Sequence, residues 1–179
     1  LPSMTNVFYG CNLNKIVVDK QNRHYDSRGN CNAIINSKTN SLIVAGVNTR
    51  IPKTVTSIGD ESFVCQIWLE KLKIPQAIEY IEYTAFDGCS MLSNIKVSKA
   101  NKVYDSRDNC NAVMETATNT LVVGSNNTII PETTKKIGSM AFSGRAGLRE
   151  IVIPSGVDFI MSGAFNNCIN LERVVLPKT

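Results

Sequence analysis

Histidine and tryptophan occur once each in these 179 residues, and the six cysteines never form a C-x-x-C pair. A structural zinc site therefore lacks ligands at usable spacing, and no metal is expected. There is no glycine-rich phosphate loop, no Ser-His-Asp order and no paired-carboxylate motif, so the chain reads as non-enzymatic and without a cofactor. No apolar run approaches the roughly 18 residues that a membrane-spanning helix needs. The net charge of +4 is modest, with no dense basic stripe carrying interleaved aromatics, which argues against nucleic acid as a partner.

What is present is repetition. A proline preceded by an apolar residue recurs at Pro52, Pro75, Pro131, Pro154 and Pro177, with Ser98 in the same slot. The step from Pro52 to Pro75 returns unchanged from Pro75 to Ser98, from Pro131 to Pro154 and from Pro154 to Pro177; only the step from Ser98 to Pro131 is longer. Phe63, Phe86, Phe142 and Phe165 each stand at one fixed distance before such a slot, and Ile58, Ile81, Ile137 and Ile160 each follow one at another. A fixed period of this size means stacked coils, none of which can bury its apolar side alone. The Phe and Ile sets should therefore each form one buried column. Within a coil, Leu-x-x-Ile-x-Ile alternates apolar and polar residues, as a strand with one buried face does. The Ile-Gly-x-x-Ala-Phe part suits a single helical turn on the opposite side.

A longer duplication lies over the short one. Tyr25-Asp26-Ser27-Arg28-Gly29-Asn30-Cys31-Asn32-Ala33 returns as Tyr104-Asp105-Ser106-Arg107-Asp108-Asn109-Cys110-Asn111-Ala112. The shift from Tyr25 to Tyr104 equals two short steps and one long one, so a super-unit of three coils is present twice. Each long coil replaces the Phe-x-x-Cys turn with a hairpin signal, turning at Thr39-Asn40 and Thr118-Asn119. These hairpins are expected as flaps outside the regular stack.

The pattern Ile58-Gly59 to Phe63, Ile81 to Phe86 with Cys89 and Leu92, Ile137-Gly138 to Phe142 with Leu148, and Ile160 to Phe165 with Cys168 and Leu171 resembles the BspA-like class of leucine-rich repeats of bacterial surface proteins. The resemblance covers nearly the whole chain. It implies a right-handed leucine-rich repeat solenoid, α/β by convention but predominantly β, forming one domain over residues 1–179. It also implies an extracellular or cell-surface location and adhesion to a protein or glycan at a host or bacterial surface. The chain opens at Leu1-Pro2 and closes at Val174 to Thr179 inside the repeat pattern, as expected for a segment of a larger protein whose signal and anchor lie elsewhere.

Three features invite a chemical reading. Cys11, Cys89 and Cys168 share one repeat slot, filled by Gln66 and Arg145 in other coils. They read as small apolar side chains pointing into the stack, and all six thiols as free. His24 has Val103 as its counterpart in the second copy, which argues against a catalytic role. The Tyr-Asp-Ser-Arg-x-Asn-Cys-Asn motif admits a calcium or carbohydrate site built on Asp26, Asn30 and Asn32, or on Asp105, Asp108, Asn109 and Asn111. It equally admits a turn network in which Asp, Ser and Asn bond local backbone and Arg reaches a carboxylate or carbonyl.

Strand alternation names the outward column two positions before each proline slot: Val17, Arg50, Lys73, Lys96, Ile129, Val152 and Val175. Lys71 stands in the adjacent column. Arg50, Lys73 and Lys96 are expected as adjacent rungs of a like-charge ladder on the concave face, a costly arrangement for folding alone, with Ile129, Val152 and Val175 as its apolar continuation. Two readings of this face stand: a solvated surface of snorkelling side chains, or a binding surface for an acidic or polyanionic partner. Trp68 and Met91, in one slot on adjacent coils, form either a packed rim or an aromatic platform. The function expected is a binding or adhesion module; the alternative is a spacer that displays another domain.

Overall fold

Two kinds of strand arise from two kinds of local sequence. Lys71-Leu72-Lys73-Ile74 alternates apolar and charged side chains and extends with Leu72 and Ile74 buried and both lysines exposed. Ser57-Ile58 carries one apolar residue before Gly59 and extends no further than that pair. In the computed structural model, which describes residues 7–178, Leu1-Pro2 and Thr179 lie outside the described residues. The strands of the first super-unit are β1 (Tyr25–Asp26), β2 (Ala33–Asn36), β3 (Ser41–Ala45), β4 (Ser57–Ile58), β5 (Lys71–Ile74), β6 (Tyr80–Ile81) and β7 (Asn94–Val97). Those of the second are β8 (Tyr104–Asp105), β9 (Val113–Glu115), β10 (Thr120–Val123), β11 (Lys136–Ile137), β12 (Glu150–Val152), β13 (Phe159–Ile160) and β14 (Arg173–Val175).

Strand register measures the coil directly. Lys71 pairs with Asn94, Ser57 with Tyr80, Lys136 with Phe159 and Glu150 with Arg173, all in parallel. Each of these pairs is separated by the same short step that parts Pro52 from Pro75. The chain is a predominantly β solenoid. The strands that precede the proline slots form two separate two-stranded sheets, β5–β7 and β12–β14, and the rest form two five-stranded sheets, β1-β2-β3-β4-β6 and β8-β9-β10-β11-β13.

The hairpins turn where expected, with Asn40 at φ 53° and Asn119 at φ 54°, but they are not flaps. β3 and β10 continue the parallel ladders, with Leu42 opposite Ile58 and Leu121 opposite Ile137. Ala33, Ile35, Leu42, Val113, Met114 and Leu121 are buried. A hairpin with one apolar face has to bury it, and the open end of each short-strand ladder receives it.

The Ile-Gly-x-x-Ala-Phe stretch forms hydrogen-bonded turns rather than a helix, with Ser62 N–H bonding Gly59 O at 3.3 Å and Ala85 N–H bonding Glu82 O at 3.1 Å. Its backbone also bonds the next coil: Phe63 N–H donates to Ala85 O at 2.9 Å, and Cys65 N–H to Asp87 O at 2.8 Å. Phe142 and Gly144 bond Ala164 O and Asn166 O in the same way, at 2.7 and 2.8 Å. Residues in the left-handed region, among them Glu61 at φ 51° and Cys65 at φ 54°, keep breaking the helical path so that N–H groups point along the solenoid. Among the described residues the helical pieces are the 3-10 turns Arg28–Asn30 and Arg107–Asn109.

The phenylalanines stack in two pairs rather than one column. Phe63 and Phe86 have ring centroids 4.9 Å apart, and Phe142 and Phe165 5.0 Å. The long coil between the pairs puts Gly124 in the ring slot, its N–H bonding Ala141 O as Phe63 N–H bonds Ala85 O. A Cβ on Gly124 would lie 2.2 Å from Phe142 Cε1. Ile58, Ile81 and Ile137 are buried, whereas Ile160, in the last described coil, is 47% exposed.

Candidate functional site

The cysteine slot serves as a hydrogen-bond donor as well as apolar filling, with Cys89 in the first core cluster and Cys168 packed against the second. Cys89 Sγ lies 3.2 Å from Phe63 O, and Cys168 Sγ 3.0 Å from Phe142 O. The residues that replace cysteine do the same work: Gln66 Nε2 donates to Ala45 O at 3.1 Å, and Arg145 Nε to Gly124 O at 2.8 Å. Each satisfies a buried carbonyl of the preceding coil. Arg145, 1% exposed, also donates to Phe86 O and Ser143 O at 2.9 and 2.8 Å. Burial pushes its guanidinium below the ordinary value, with Cys89, Cys168 and Asp87 acting against that. All six cysteines are free; Cys31, Cys89 and Cys110 are buried, Cys65 and Cys168 half-buried. Cys11 is exposed, contrary to the slot it shares in sequence.

The polar motif is a turn network. Arg28 clamps both oxygens of Asp26, at 2.8 and 2.5 Å, and reaches Asn40 Oδ1 at 2.8 Å; Arg107 does likewise with Asp105 and Asn119 at 2.9, 2.6 and 2.6 Å. Arg28 holds the Asp26 carboxyl down at about 2. At Asp105 burial acts in the opposite direction, but bonds from Arg107 and Thr116 still bring it below its ordinary value. Asn32 and Asn111 accept the N–H of Ile16 and Ile95 across coils, at 2.7 and 2.6 Å. Asn30, Asp108 and Asn109 sit at φ 51°, 54° and 53° as turn residues. The Asp26 and Asp105 carboxylates are thus occupied by arginine while Asp108 is exposed, and no three potential metal-ligating side chains cluster among the described residues. His24 is exposed at the surface.

The outward column is only partly the ladder expected. Lys73 faces Lys96 directly, Lys71 faces Asn94, and Val152 faces Val175. Arg50 and Ile129 belong to no strand. The segment carrying Arg50 bonds backward: Gly46 N–H to Asn32 O at 2.9 Å, Val47 N–H to Leu13 O at 2.9 Å, and Arg50 N–H to Cys31 O at 3.0 Å. With its donors so committed, it makes no backbone bond to β5 among the described residues. The ladder is therefore broken between Arg50 and Lys73, and a cleft of ≈ 1340 Å³ takes its place. The apolar column breaks in the same way at Ile129, whose N–H bonds Cys110 O at 3.1 Å; Val17 stands alone and exposed.

Arg50, Lys53, Lys71, Lys73 and Lys96 line the cleft, with Glu70 as its one acid, over a floor that includes Leu72 and Ile74. None of the five cations is in an ion pair among the described residues. Trp68, 59% exposed, stands on the cleft wall, while Met91, also exposed, is not among the lining residues. Sequence alternation missed Lys53, which follows Pro52 outside any strand.

At the equivalent positions one super-unit further on, Ile129, Glu132, Gly147, Glu150, Val152 and Val175 replace Arg50, Lys53, Trp68, Lys71, Lys73 and Lys96. Four charges there pair with each other, Arg149 with Glu172 at 3.2 Å and Arg173 with Glu150 at 3.0 Å, while Glu132 has no ion-pair partner among the described residues.

A profile of the BspA type leucine rich repeat region matches residues 4–114 and 122–179, in six copies. Among solved structures, a leucine-rich cell surface protein of Faecalibacterium prausnitzii A2-165 is 28% identical with a TM-score of 0.57, the match covering 69% of this chain and 34% of that one. The pneumococcal vaccine antigen PcpA is 20% identical with a TM-score of 0.55, covering 74% of this chain and 33% of its own, a likeness of fold alone. The chain thus spans about a third of the length of either protein. No curated protein matches the sequence.

Proposed function

The chain belongs to the BspA-type leucine-rich repeat family, and from that premise we propose that it is a non-enzymatic binding segment of a bacterial cell-surface protein, gripping a macromolecular partner in the cleft between Arg50 and β5. The observation that carries this reading is the cleft's charge: five unpaired cations beside an exposed tryptophan, on a scaffold whose second copy does without all six side chains. Like charges directly opposite on paired strands, as at Lys73 and Lys96, cost stability, so their retention calls for a use outside folding. A volume of ≈ 1340 Å³ exceeds the roughly 300–1,000 Å³ of a small-molecule pocket and suits a length of polymer. The outward face of β7 extends the surface.

The spacer reading draws on the second copy, where Arg149, Glu150, Glu172 and Arg173 are paired with one another. The two readings separate on one experiment. Arg50→Ser, Lys73→Ser and Lys96→Ser together should abolish salt-sensitive binding to anionic glycans and host matrix proteins, since exposed charge interactions are screened over about 10 Å at 0.1 M ionic strength. The melting temperature should hold or rise as Lys73–Lys96 repulsion is relieved. Binding indifferent to the three substitutions and to salt would leave the face a solvated surface and the chain a spacer.

A further inference from the structure

The cleft has a feature beyond its charge: one wall is the open edge of a β-sheet. β5 pairs with β7 alone. Asn94 N–H bonds Glu70 O at 3.0 Å, and Ser98 N–H bonds Ile74 O at 2.9 Å. Even-numbered residues of β5 therefore face β7, and by the alternation of a parallel ladder Lys71 and Lys73 turn their N–H and C=O groups toward the cleft. Pro75 ends this edge, having no N–H to offer. Ordinarily the preceding coil of a solenoid covers such an edge. Here the segment that would do so is held away by its bonds to Asn32, Leu13 and Cys31.

Unpaired strand edges are templates for an added strand, and backbone bonding supplies affinity while alternate side chains supply selectivity. In a strand laid along β5, every second side chain would share the outward face with Lys71, Lys73 and Lys96, and those between would face the Leu72 and Ile74 side of the sheet. We propose that the partner is an extended peptide segment with acidic residues at alternate positions and apolar residues between them, bound by strand addition to β5. This rests on the cleft being the binding site and names what fills it. The open edge favours peptide over glycan, because a sugar polymer has no regular alternation of N–H and C=O to match Lys71 and Lys73. The second copy's counterpart of this edge carries Glu150 and Val152 and would repel or ignore the same segment.

Trp68, the chain's single tryptophan, lines the cleft and reports occupancy by fluorescence. The probe is an end-blocked octapeptide alternating glutamate and valine, compared with two methylated versions, one N-methylated at the glutamate amides and one at the valine amides, and with a sulfated oligosaccharide of equal charge. The expected result is a salt-sensitive change in Trp68 emission with the parent peptide and at least tenfold weaker binding of the version methylated on the edge that meets β5 than of the other. Both versions carry the parent's charge and the same number of methyl groups, so a difference between them reports which strand edge is bonded. Affinity equal to the parent's in both methylated versions overturns strand addition. If the oligosaccharide then binds and Arg50→Ser, Lys73→Ser, Lys96→Ser releases it, the cleft stands as a binding site with a different occupant. Silence of Trp68 toward the peptide, with matrix proteins still bound and released by the three substitutions, likewise overturns the strand and spares the site.

Discussion

The two super-units are one backbone written twice with different side chains, and the difference sorts scaffold from candidate function. Both copies keep the Arg28 and Arg107 clamps. Both keep Asn32 and Asn111 as cross-coil acceptors. Thr49 and Thr128 hydroxyls donate to Asn32 O and Asn111 O, at 2.7 and 2.8 Å, and each copy has its stacked phenylalanine pair. These are the bonds that let a long coil leave the regular ladder and return to it. Arg50, Lys53, Trp68, Lys71, Lys73 and Lys96 occur in the first copy only. The second copy folds without them, so the fold does not require them.

The comparison can be broken first at the rings. Phe86 is 3% exposed while Phe165 is half-buried. Phe86→Ala should cost about 3–5 kcal/mol, the usual range for a buried ring, and Phe165→Ala less than half of that, by urea denaturation. Equal losses would mean that burial in the two pairs does not differ as described.

Gly124 and Ala45 are equivalent positions facing different neighbours. Gly124→Ala drives a methyl into Phe142 and should destabilise by about 1–3 kcal/mol, as overpacking does. Ala45→Gly should cost about 1 kcal/mol or less, the entropic penalty of glycine. Thermal melts of the two single variants decide it, and a neutral Gly124→Ala would show that the ring pair can shift.

The smallest effect concerns acid. Asp26 falls from 3.8 to about 2 in the folded chain through its bonds from Arg28 and Ser37. A depressed carboxyl contributes stability that is complete above its unfolded value and is lost as pH falls through the folded one. Asp26→Asn should therefore lower stability by about 1–2 kcal/mol at pH 7, after allowance for solvent screening, and flatten the decline between pH 4 and 2. An unchanged acid limb would place the acid sensitivity elsewhere.

Most of the scaffold was legible in the sequence because solenoid pairing is local arithmetic. Phe and Pro spacing alone foretell the coil register that Lys71–Asn94 and Glu150–Arg173 display, and period-2 alternation foretells Lys73 opposite Lys96. The cleft was not legible. It exists because Gly46, Val47 and Arg50 spend their N–H groups on Asn32, Leu13 and Cys31, and no side-chain pattern records where a backbone donor goes. The hairpins were visible as turns but not as core, since joining the β4 and β11 ladders depends on which edges are open. The cysteine slot was legible as apolar packing at Cys89 and Cys168 but not as a donor; only Gln66 and Arg145, polar residues in the same place, hinted that the slot donates a hydrogen bond.

The central claim is that the first copy binds and the second supports. Amide hydrogen exchange on the whole chain, with and without the alternating glutamate–valine octapeptide, tests both copies in one molecule. The account predicts added protection at Lys71 and Lys73, with Glu150 and Val152 unchanged. Protection of equal size at both pairs, or at neither, would contradict it.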